Sequence, residues 1–225
     1  MLSRRRLPLL LLALASPRQS ARAAEAAPAS PVAFIRAAGN QLAAILAAPI
    51  SEAAKRRRLG AFLARVVDIP AVARFCLGRF WPRATAAERA GYVRLFHGIL
   101  LDSVMARAGA YRATHAPTGQ DSAGQLPAAR GGMRVVIGRP VRHGDAIDVP
   151  TTVARPGAPA AQVTWVVREE AGGLRIFDLR VAGTSLRVTV RADYDSFLSR
   201  HGDSLPALLA AMRRQITQAE RTGGH

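Results

Sequence analysis

The chain has 225 residues, of which 49% are hydrophobic, and its formal net charge is +17. This length suits one domain with a hydrophobic core, and the apolar content excludes a disordered chain. The apolar residues are spread too evenly for a protein with several membrane spans. A single cysteine excludes an intramolecular disulfide bond, so packing must supply the stability.

Residues 1–23 have the pattern of a cleavable secretory signal peptide. MLSRRR is a basic start, and LPLLLLALA is an apolar run shorter than the ~20 residues of a membrane-spanning helix. ARA then gives a small-x-small cleavage pattern that ends at Ala23. The alternative is a single anchoring helix, which the short run disfavours. Export predicts a mature chain that begins with a flexible segment over 24–31.

The mature chain is basic. Residues 1–24 hold five arginines and no acid, so their removal leaves about +12 of the +17 charge. Such a chain could bind nucleic acid, an anionic membrane surface or an acidic partner. Scattered arginines and only 5% aromatic residues argue against nucleic acid. The one dense cluster, KRRR at 55–58, is predicted on the solvated face of a helix.

Helical spacing of apolar residues predicts four N-terminal helices. A short third helix should end before Gly78, and a long fourth helix should end near Gly109. TAAE at 85–88 forms a capping box for the fourth. Each predicted start carries a capping residue: Ser30, Ser51, Asp68 and Thr85.

The pattern changes after a Gly- and Pro-rich stretch at 114–132, which predicts a long loop. Strands are predicted at 133–137, 146–154, 162–169 and 174–181, and their short connections imply antiparallel pairing. Helical spacing returns after Ser185, which is predicted to cap the next helix. A last helix should begin near Ser204 and be followed by a frayed tail over 218–225. This order predicts an α+β fold.

Alternation gives two of the strands an apolar side. The residues on these sides are Val163, Trp165 and Val167 in the third strand and Phe177, Leu179 and Val181 in the fourth. Asp178 and Arg180 are predicted to face the other way. Asp178 lies between Arg175 and Arg180, which favours a structural ion pair over a role as a general base.

The sequence offers no motif typical of catalysis or metal binding. GTSLR lacks the glycine that a G-x-S-x-G nucleophile turn needs, because Arg187 stands two places after Ser185. The five histidines show no metal-ligand spacing, and HExxH, CxxC and a glycine-rich phosphate loop are absent. Cys76 lies among apolar neighbours, as a core residue does. We therefore expect no catalytic residue, no metal and no cofactor.

Three segments resemble the MlaC, or toluene-tolerance, family of periplasmic phospholipid-binding proteins. They are VARFCLGRFW at 72–81, TAAERAGYVRLFHGIL at 85–100 and IFDLRVAGTSLRVTVRADYDSFL at 176–198. The order and spacing hold over about 32–217, and the hopanoid-associated HpnM subgroup is similar overall. The residues that match the family's motifs are Leu77, Gly78, Phe80, Trp81, Phe96, Asp178, Gly183, Ser185, Leu186 and Arg191.

The chain departs from the family's pattern at three positions in these segments and the strand before them. Ala182 replaces a common Glu, Val190 a Tyr and Leu174 a Trp. These departures concern the particular lipid or partner more than the fold.

The resemblance implies a periplasmic carrier and not an enzyme. Such proteins carry phospholipid between an outer-membrane lipoprotein–porin complex and an inner-membrane ABC transporter complex with an MlaD-type component, and so maintain outer-membrane lipid asymmetry. The implied fold, over 32–217, is a curved antiparallel sheet of about four strands with an apolar cavity between sheet and helices. Alternatives are a hopanoid-associated lipid carrier, an exported α+β enzyme with a small apolar pocket, and an interaction module with a filled interior.

The resemblance to a lipid carrier, combined with strand facing and the apolar stripe of the fourth helix, predicts the lining of that cavity. The candidate residues are Phe80, Trp81, Phe96, Leu100, Val135, Ile137, Val163, Trp165, Val167, Phe177, Leu179 and Val181.

Overall fold

The computed structural model describes residues 30–114, 134–155 and 157–222. The predicted signal peptide lies outside these residues, as does the predicted loop after Thr114. Within them, helices, then strands, then helices follow one another along the chain. This order confirms the predicted α+β class.

The N-terminal half is helical. Its elements are α1 (Pro31–Ala47), α2 (Glu52–Val66), α3 (Ile69–Leu77), a 3₁₀ turn (Gly78–Phe80) and α4 (Ala86–Thr114). The strands are β1 (Arg134–Ile137), β2 (Val141–His143), β3 (Ala146–Arg155), β4 (Ala158–Glu170), β5 (Gly173–Val181) and β6 (Thr184–Ser185). Two helices close the described chain, α5 (Leu186–Arg200) and α6 (Leu205–Thr222).

The predicted capping residues start their helices as expected. The side-chain oxygens of Ser30, Ser51 and Asp68 accept bonds of 3.2, 3.3 and 3.1 Å from backbone N–H groups three residues on. Thr85 and Glu88 exchange bonds in the predicted capping box, with Glu88 Oε2 accepting from the Thr85 N–H at 2.8 Å. These bonds satisfy N–H groups that a helix start leaves without partners.

Two helices run further than predicted. α4 continues past Gly109 to Thr114, because one glycine costs a helix only about 1 kcal/mol and alanines surround it. α6 continues to Thr222 and so includes the first residues of the predicted tail.

All strand pairs are antiparallel, and the sheet order is β1–β3–β4–β5–β6, with β2 also on β3. The four predicted strands are present as β1, β3, β4 and β5. β2 and β6 were missed because three and two residues are too few to show alternation. Since β1 and β2 both pair with β3, they form one interrupted edge.

The main hydrophobic core lies between the helices and one end of one sheet face. One buried cluster joins the sheet to the helices. The sheet contributes Ile147, Val149, Val167 and Ile176, and α2 contributes Leu59, Phe62, Leu63 and Val66. Residues of α3, α4 and α6 belong to the same cluster. Backbone contacts fix the helices to the sheet edge there, since the Asp68 N–H donates to the Ile176 carbonyl oxygen at 3.0 Å. This end of the sheet is therefore filled by the protein itself.

The predicted solvation of the KRRR cluster is wrong for its first member. Lys55 is buried, and its ammonium group lies 2.9 Å from Glu52 Oε1. Lys55 shares a helix face with Leu59 and Phe62, so its methylene groups pack with the core while Glu52 neutralises the charge. Arg56 pairs with Asp102 of α4 at 2.5 Å. Burial raises the Asp102 pKa, and Arg56 opposes that rise.

Candidate functional site

One sheet face is apolar through the middle of the sheet and at the end that β1 covers, as strand pairing shows. Directly opposed residues share a face, so Val149, Trp165 and Leu179 form one row across β3, β4 and β5. On one side of this row lie Ile147, Val167 and Ile176, which are buried under the helices. On the other side lie the buried Thr151 and five residues that are less covered: Val135, Ile137, Val153, Val163 and Val181.

Exposure changes along this face. Val167 is 0% exposed, Val163 and Trp165 are half-buried, and Val181 and Val135 are 39% and 48% exposed. We call the half of the sheet beyond the Val149–Trp165–Leu179 row, away from the buried Val167 row, the open end. Apolar side chains there retain surface for a ligand, whereas those at the other end do not.

A hydrogen-bond chain holds Trp165 in the boundary row. The indole Nε1–H donates to Thr151 Oγ1 at 3.1 Å, and the Thr151 hydroxyl donates to the Val163 carbonyl oxygen at 3.0 Å. Thr151 is buried on the apolar face, and these two bonds satisfy its hydroxyl. The indole ring is thereby tied to the sheet surface.

The four predicted lining residues outside the sheet lie in or against the core. Phe80 and Phe96 are buried members of the core cluster, and Trp81 and Leu100 are partly buried and pack against it. The Arg89 guanidinium covers the Trp81 ring at 5.5 Å and donates from Nε to the Trp81 carbonyl oxygen at 3.0 Å. Contact of these residues with a ligand stays a prediction.

The predicted facing of Phe177 is wrong. A bulge pairs Val166 with Asp178 and Val167 with Ile176, which leaves Phe177 without an opposite residue and turns it to the polar face. Its ring centre there lies 3.6 Å from the Arg168 guanidinium carbon and 4.1 Å from that of Arg187. Ile176 takes the place that alternation assigned to Phe177.

Phe177 is part of a stack on that second face. Arg187 also lies over the Phe75 ring at 4.2 Å, and Arg191 lies over the same ring at 5.1 Å. Rings and guanidinium groups thus alternate from β4 through α5 to α3. Desolvation lowers the Arg187 pKa, and nearby Asp178 opposes this effect.

Residues of β3 were missed as candidates. Val149, Thr151 and Val153 lie on the apolar face opposite Trp165, Val163 and Ala161. Their alternation within AIDVPTTVA carried the signal, but the polar hydroxyl of Thr151 obscured it. They complete the surface between β1 and β4.

Asp178 organises the corner where β5 leads into α5. It accepts from the Ser185 hydroxyl at 2.6 Å and from the backbone N–H groups of Leu179 and Arg187 at 2.8 and 3.3 Å. The Arg187 Nε lies 3.4 Å from Asp178 Oδ2. Asp178 is therefore structural, as predicted, but its ionic partner is Arg187 and not Arg175 or Arg180.

Ser185 caps α5, as predicted. Its hydroxyl oxygen accepts from the Val188 N–H at 3.2 Å while its hydrogen goes to Asp178. Both hydrogen bonds of this hydroxyl therefore serve the corner between β5 and α5. Cys76 is buried, as predicted, and burial raises its pKa to about 12.

Gly78 and Arg191, two motif residues 113 positions apart, lie against each other. Gly78 has φ 56°, and a Cβ atom there would lie 3.0 Å from Arg191 Nε. Only glycine tolerates both conditions. These two residues thus help to build the corner between α3, β5 and α5.

Two open grooves lie between helices and not over the sheet. One, of about 420 Å³, runs between α5 and α6 beside Tyr194 and Phe197. The other, of about 390 Å³, runs between α1 and α2 beside Ile45 and Phe62. None of the twelve predicted lining residues borders either groove. The predicted cavity between sheet and helices stays a prediction.

Two further features concern only the part of the chain that the structure describes. None of its helices combines the length and apolar character needed to cross a membrane. No group of three or more histidine, cysteine or acidic side chains in these residues is placed to hold a metal ion.

Comparison with known proteins gives one family and one fold. The family model described as MlaC protein matches residues 36–214. None of the curated protein sequences compared with this chain matches it. Among solved structures, the chain is similar to a phospholipid-binding protein from Ralstonia solanacearum that was solved in complex with a phospholipid. The two share 18% identity and a TM-score of 0.64, over 86% of this chain and 99% of the other.

The structural similarity shows that both chains have the same fold. The family match spans most of this chain, including the Gly78–Arg191 contact and the Asp178 corner. The chain belongs to the MlaC family.

Proposed function

We propose that this chain is a periplasmic carrier that binds a phospholipid and moves it between membranes. The observation that carries the proposal is the open end of the sheet together with the row that borders it, where half-buried Val163, Trp165 and Leu179 present apolar surface. Membership of the MlaC family and the shared fold with a phospholipid-bound protein support it.

The energetics require an apolar surface and few directed contacts. Each buried CH₂ contributes about 0.8 kcal/mol, so two acyl tails of roughly 16 carbons would expose on the order of 20 kcal/mol of apolar surface in water. A carrier must offer the acyl tails an environment as apolar as the bilayer. The free-energy changes of loading and release then both stay near zero. Aliphatic side chains on the sheet, with Thr151 already satisfied, match this need.

The proposed setting follows from the family and the N-terminal sequence. Residues 1–23 direct export and are removed, and the mature chain acts in the periplasm. It receives phospholipid from, or delivers it to, an inner-membrane ABC transporter complex with an MlaD-type component. Its other partner is an outer-membrane lipoprotein–porin complex, and the exchange maintains outer-membrane lipid asymmetry. A hopanoid-associated carrier is the alternative within the same family.

A binding role also fits the chemistry of the polar residues better than catalysis does. The hydroxyl of Ser185 and the carboxylate of Asp178 hold each other and the start of α5. The thiol of Cys76 is buried with a raised pKa, and a protonated thiol is a poor nucleophile. These groups serve the fold, so we assign no catalytic residue.

Purification without detergent, followed by native mass spectrometry and lipid extraction, tests the proposal. The mature protein should carry a mass excess that matches an extractable phospholipid. Val163→Glu places a charge on the open end of the apolar face and should abolish that excess. Thr164→Glu is the matched control, because Thr164 is the next residue and faces the other way, opposite Arg180. Val167 is unsuitable for this test, since it is fully buried in the core.

Two results would reject the proposal. One is a mature protein without bound lipid that also fails to take up phospholipid from vesicles. The other is a Val163→Glu variant that folds normally, by circular dichroism, and retains the full lipid content.

A further inference from the structure

Exposed large apolar side chains concentrate at the open end of the sheet. Among the described residues, five such side chains are exposed, and three of them lie there. Val135 and Val136 are 48% and 54% exposed on opposite faces of β1. Val181 ends β5 and is 39% exposed. Because Val135 and Val136 lie on opposite faces of β1, the open end exposes apolar side chains on both faces of the sheet. The apolar surface therefore extends beyond the face that we propose for the lipid.

The β3–β4 hairpin extends this surface. Val163 pairs with Val181, the last residue of β5, so residues 158–162 of β4 project beyond β5. Ala158, Pro159 and Ala160 are exposed in this projection. These small apolar residues share the tip with a basic residue, because Arg155 at the end of β3 pairs with Ala158.

Four acids of the sheet lie toward one of its two ends. We call the half of the sheet that holds the buried Val167 row the packed end. The four acids lie toward it, near the turns that join β2 to β3 and β4 to β5: Asp145, Asp148, Glu169 and Glu170. By contrast, residues 149–168 and 179–192 contain arginines but no Asp or Glu. The stretch 122–144, which includes β1, is also free of acids.

One arginine at the open end is available to a ligand. Arg134 begins β1 opposite Ala154, and it is exposed. Within the described residues it has no carboxylate partner, whereas Arg180 pairs with Asp148 at 2.6 Å. The open end therefore combines aliphatic surface with positive charge.

We infer that the open end of the sheet docks this protein directly on the surface of an anionic phospholipid bilayer. Exposed aliphatic side chains enter the boundary between headgroups and acyl chains, and arginine side chains stay at the phosphates. The acids at the packed end orient the molecule, since an anionic surface repels them. An acidic protein partner would use the same charges, but a patch of isolated valines, alanines and proline offers it few directed polar contacts. This inference goes beyond the proposed cargo, because it states how the carrier contacts a bilayer.

Flotation with vesicles tests the inference on the mature protein. Vesicles of phosphatidylcholine that contain phosphatidylglycerol should carry the protein upward, and vesicles of phosphatidylcholine alone should not. Added salt should weaken the binding, because it screens the arginines. Val136→Glu should weaken partitioning about fivefold, since reversing the favourable contribution of one surface site changes binding by roughly 1 kcal/mol.

The control is Val141→Glu. Val141 is 48% exposed on the same sheet edge, but it pairs with Asp148, whereas Val136 pairs with Thr152. The β3 partners of these two valines, Thr152 and Asp148, are four residues apart, so Val141 lies about 13 Å closer to the packed end than Val136 does. This variant should bind the anionic vesicles as the unchanged protein does.

Failure of this inference is distinguishable from failure of the proposed function. Val136 faces away from the proposed lipid surface, so Val136→Glu should retain copurified lipid while it loses vesicle binding. The inference is overturned if the mature protein ignores anionic vesicles, which would point to a protein partner for this surface. It is also overturned if Val141→Glu weakens binding as much as Val136→Glu does, because the loss would then follow net charge alone.

Discussion

The indole N–H of Trp165 donates to the hydroxyl oxygen of Thr151 at 3.1 Å, across the pair β3–β4. Thr151 donates in turn to the Val163 carbonyl oxygen at 3.0 Å. These two hydrogen bonds hold the Trp165 indole at the boundary between the packed and open ends of the sheet. The tryptophan therefore has one fixed orientation at the start of the surface that we propose for hydrocarbon.

Thr151→Val should release Trp165 while it preserves the shape of the strand. The substitution removes both hydrogen bonds, and we expect the free energy of unfolding to fall by about 1–2 kcal/mol. Urea unfolding measures this loss, and the Trp165 fluorescence in a Trp81→Phe background should broaden. Thr152→Val is the control, because the Thr152 hydroxyl bonds only the exposed side chain of Gln162, at 3.2 Å. Equal losses in the two variants would contradict the role given to Thr151.

Gly78→Ala should destabilise the protein by about 1–3 kcal/mol, because the residue has φ 56° and faces Arg191. Arg191→Ala in the same chain should remove the steric part of this loss and leave the backbone part. Gly39 in α1 is the matched control, since a Cβ atom there meets nothing within 4 Å. Gly39→Ala should stabilise the helix by roughly 0.5–1 kcal/mol. A Gly78→Ala variant as stable as Gly39→Ala would refute the account of this motif glycine.

Asp178→Asn should be far more damaging than the loss of an exposed ion pair. The buried carboxylate holds Ser185 and Arg187, and an unpaired charge left on Arg187 should cost about 3 kcal/mol. Asp195→Asn breaks the pair with Arg79, whose atoms lie 2.9 Å apart with both side chains about half exposed. That change should cost less than about 1 kcal/mol. The denaturant midpoints of the two variants measure these losses. Similar shifts in the two midpoints would contradict the structural role given to Asp178.

Alkaline pH should destabilise the protein in part through Cys76. Burial raises the pKa of its thiol to about 12, whereas an unfolded cysteine has a pKa of about 8.5. The unfolded chain therefore loses this proton first, and stability falls as the pH rises from about 8.5 toward 12, by at most about 1.4 kcal/mol per pH unit. Burial also raises the pKa of Tyr92 and of Tyr194, so some loss persists without the thiol.

Cys76→Ala isolates the contribution of the thiol. Its unfolding free energy should start lower, because a small buried side chain is lost, but should fall less steeply above pH 9 than that of the unchanged protein. Parallel pH profiles for the two proteins would show that Cys76 does not titrate on unfolding.

Local signals in the sequence were sufficient for much of the fold. The caps at Ser30, Ser51, Asp68, Thr85 and Ser185 each depend on residues within three positions, so the sequence predicts them directly. The long strands β3, β4 and β5 carry enough alternation to be recognised. Their antiparallel order follows from short connections.

Features that depend on distant neighbours were not predictable in this way. The bulge that turns Phe177 to the polar face arises from the pairing of β4 with β5, and alternation cannot register it. Lys55 was expected in solvent, because its burial depends on where α2 packs and on its pair with Glu52. The true partner of Asp178 is nine positions away, in the next helix, and not beside it in the strand.

The candidate site was predicted in part for the same reason. Strand alternation identified Val163, Trp165, Leu179 and Val181, which do share a face. It could not show that the helices fill one end of this face and leave the other open, since that division depends on tertiary packing.

Quenching of Trp165 by bromine-labelled phospholipid tests the central claim most directly. In a Trp81→Phe background, Trp165 is the only tryptophan in the chain. Phospholipid with bromine on its acyl chains, loaded into the detergent-free mature protein, should strongly quench this residue, whereas bromine-free lipid should not. Bound brominated lipid, confirmed by native mass spectrometry, with undiminished Trp165 emission would contradict the claim that hydrocarbon lies on the open end of the sheet.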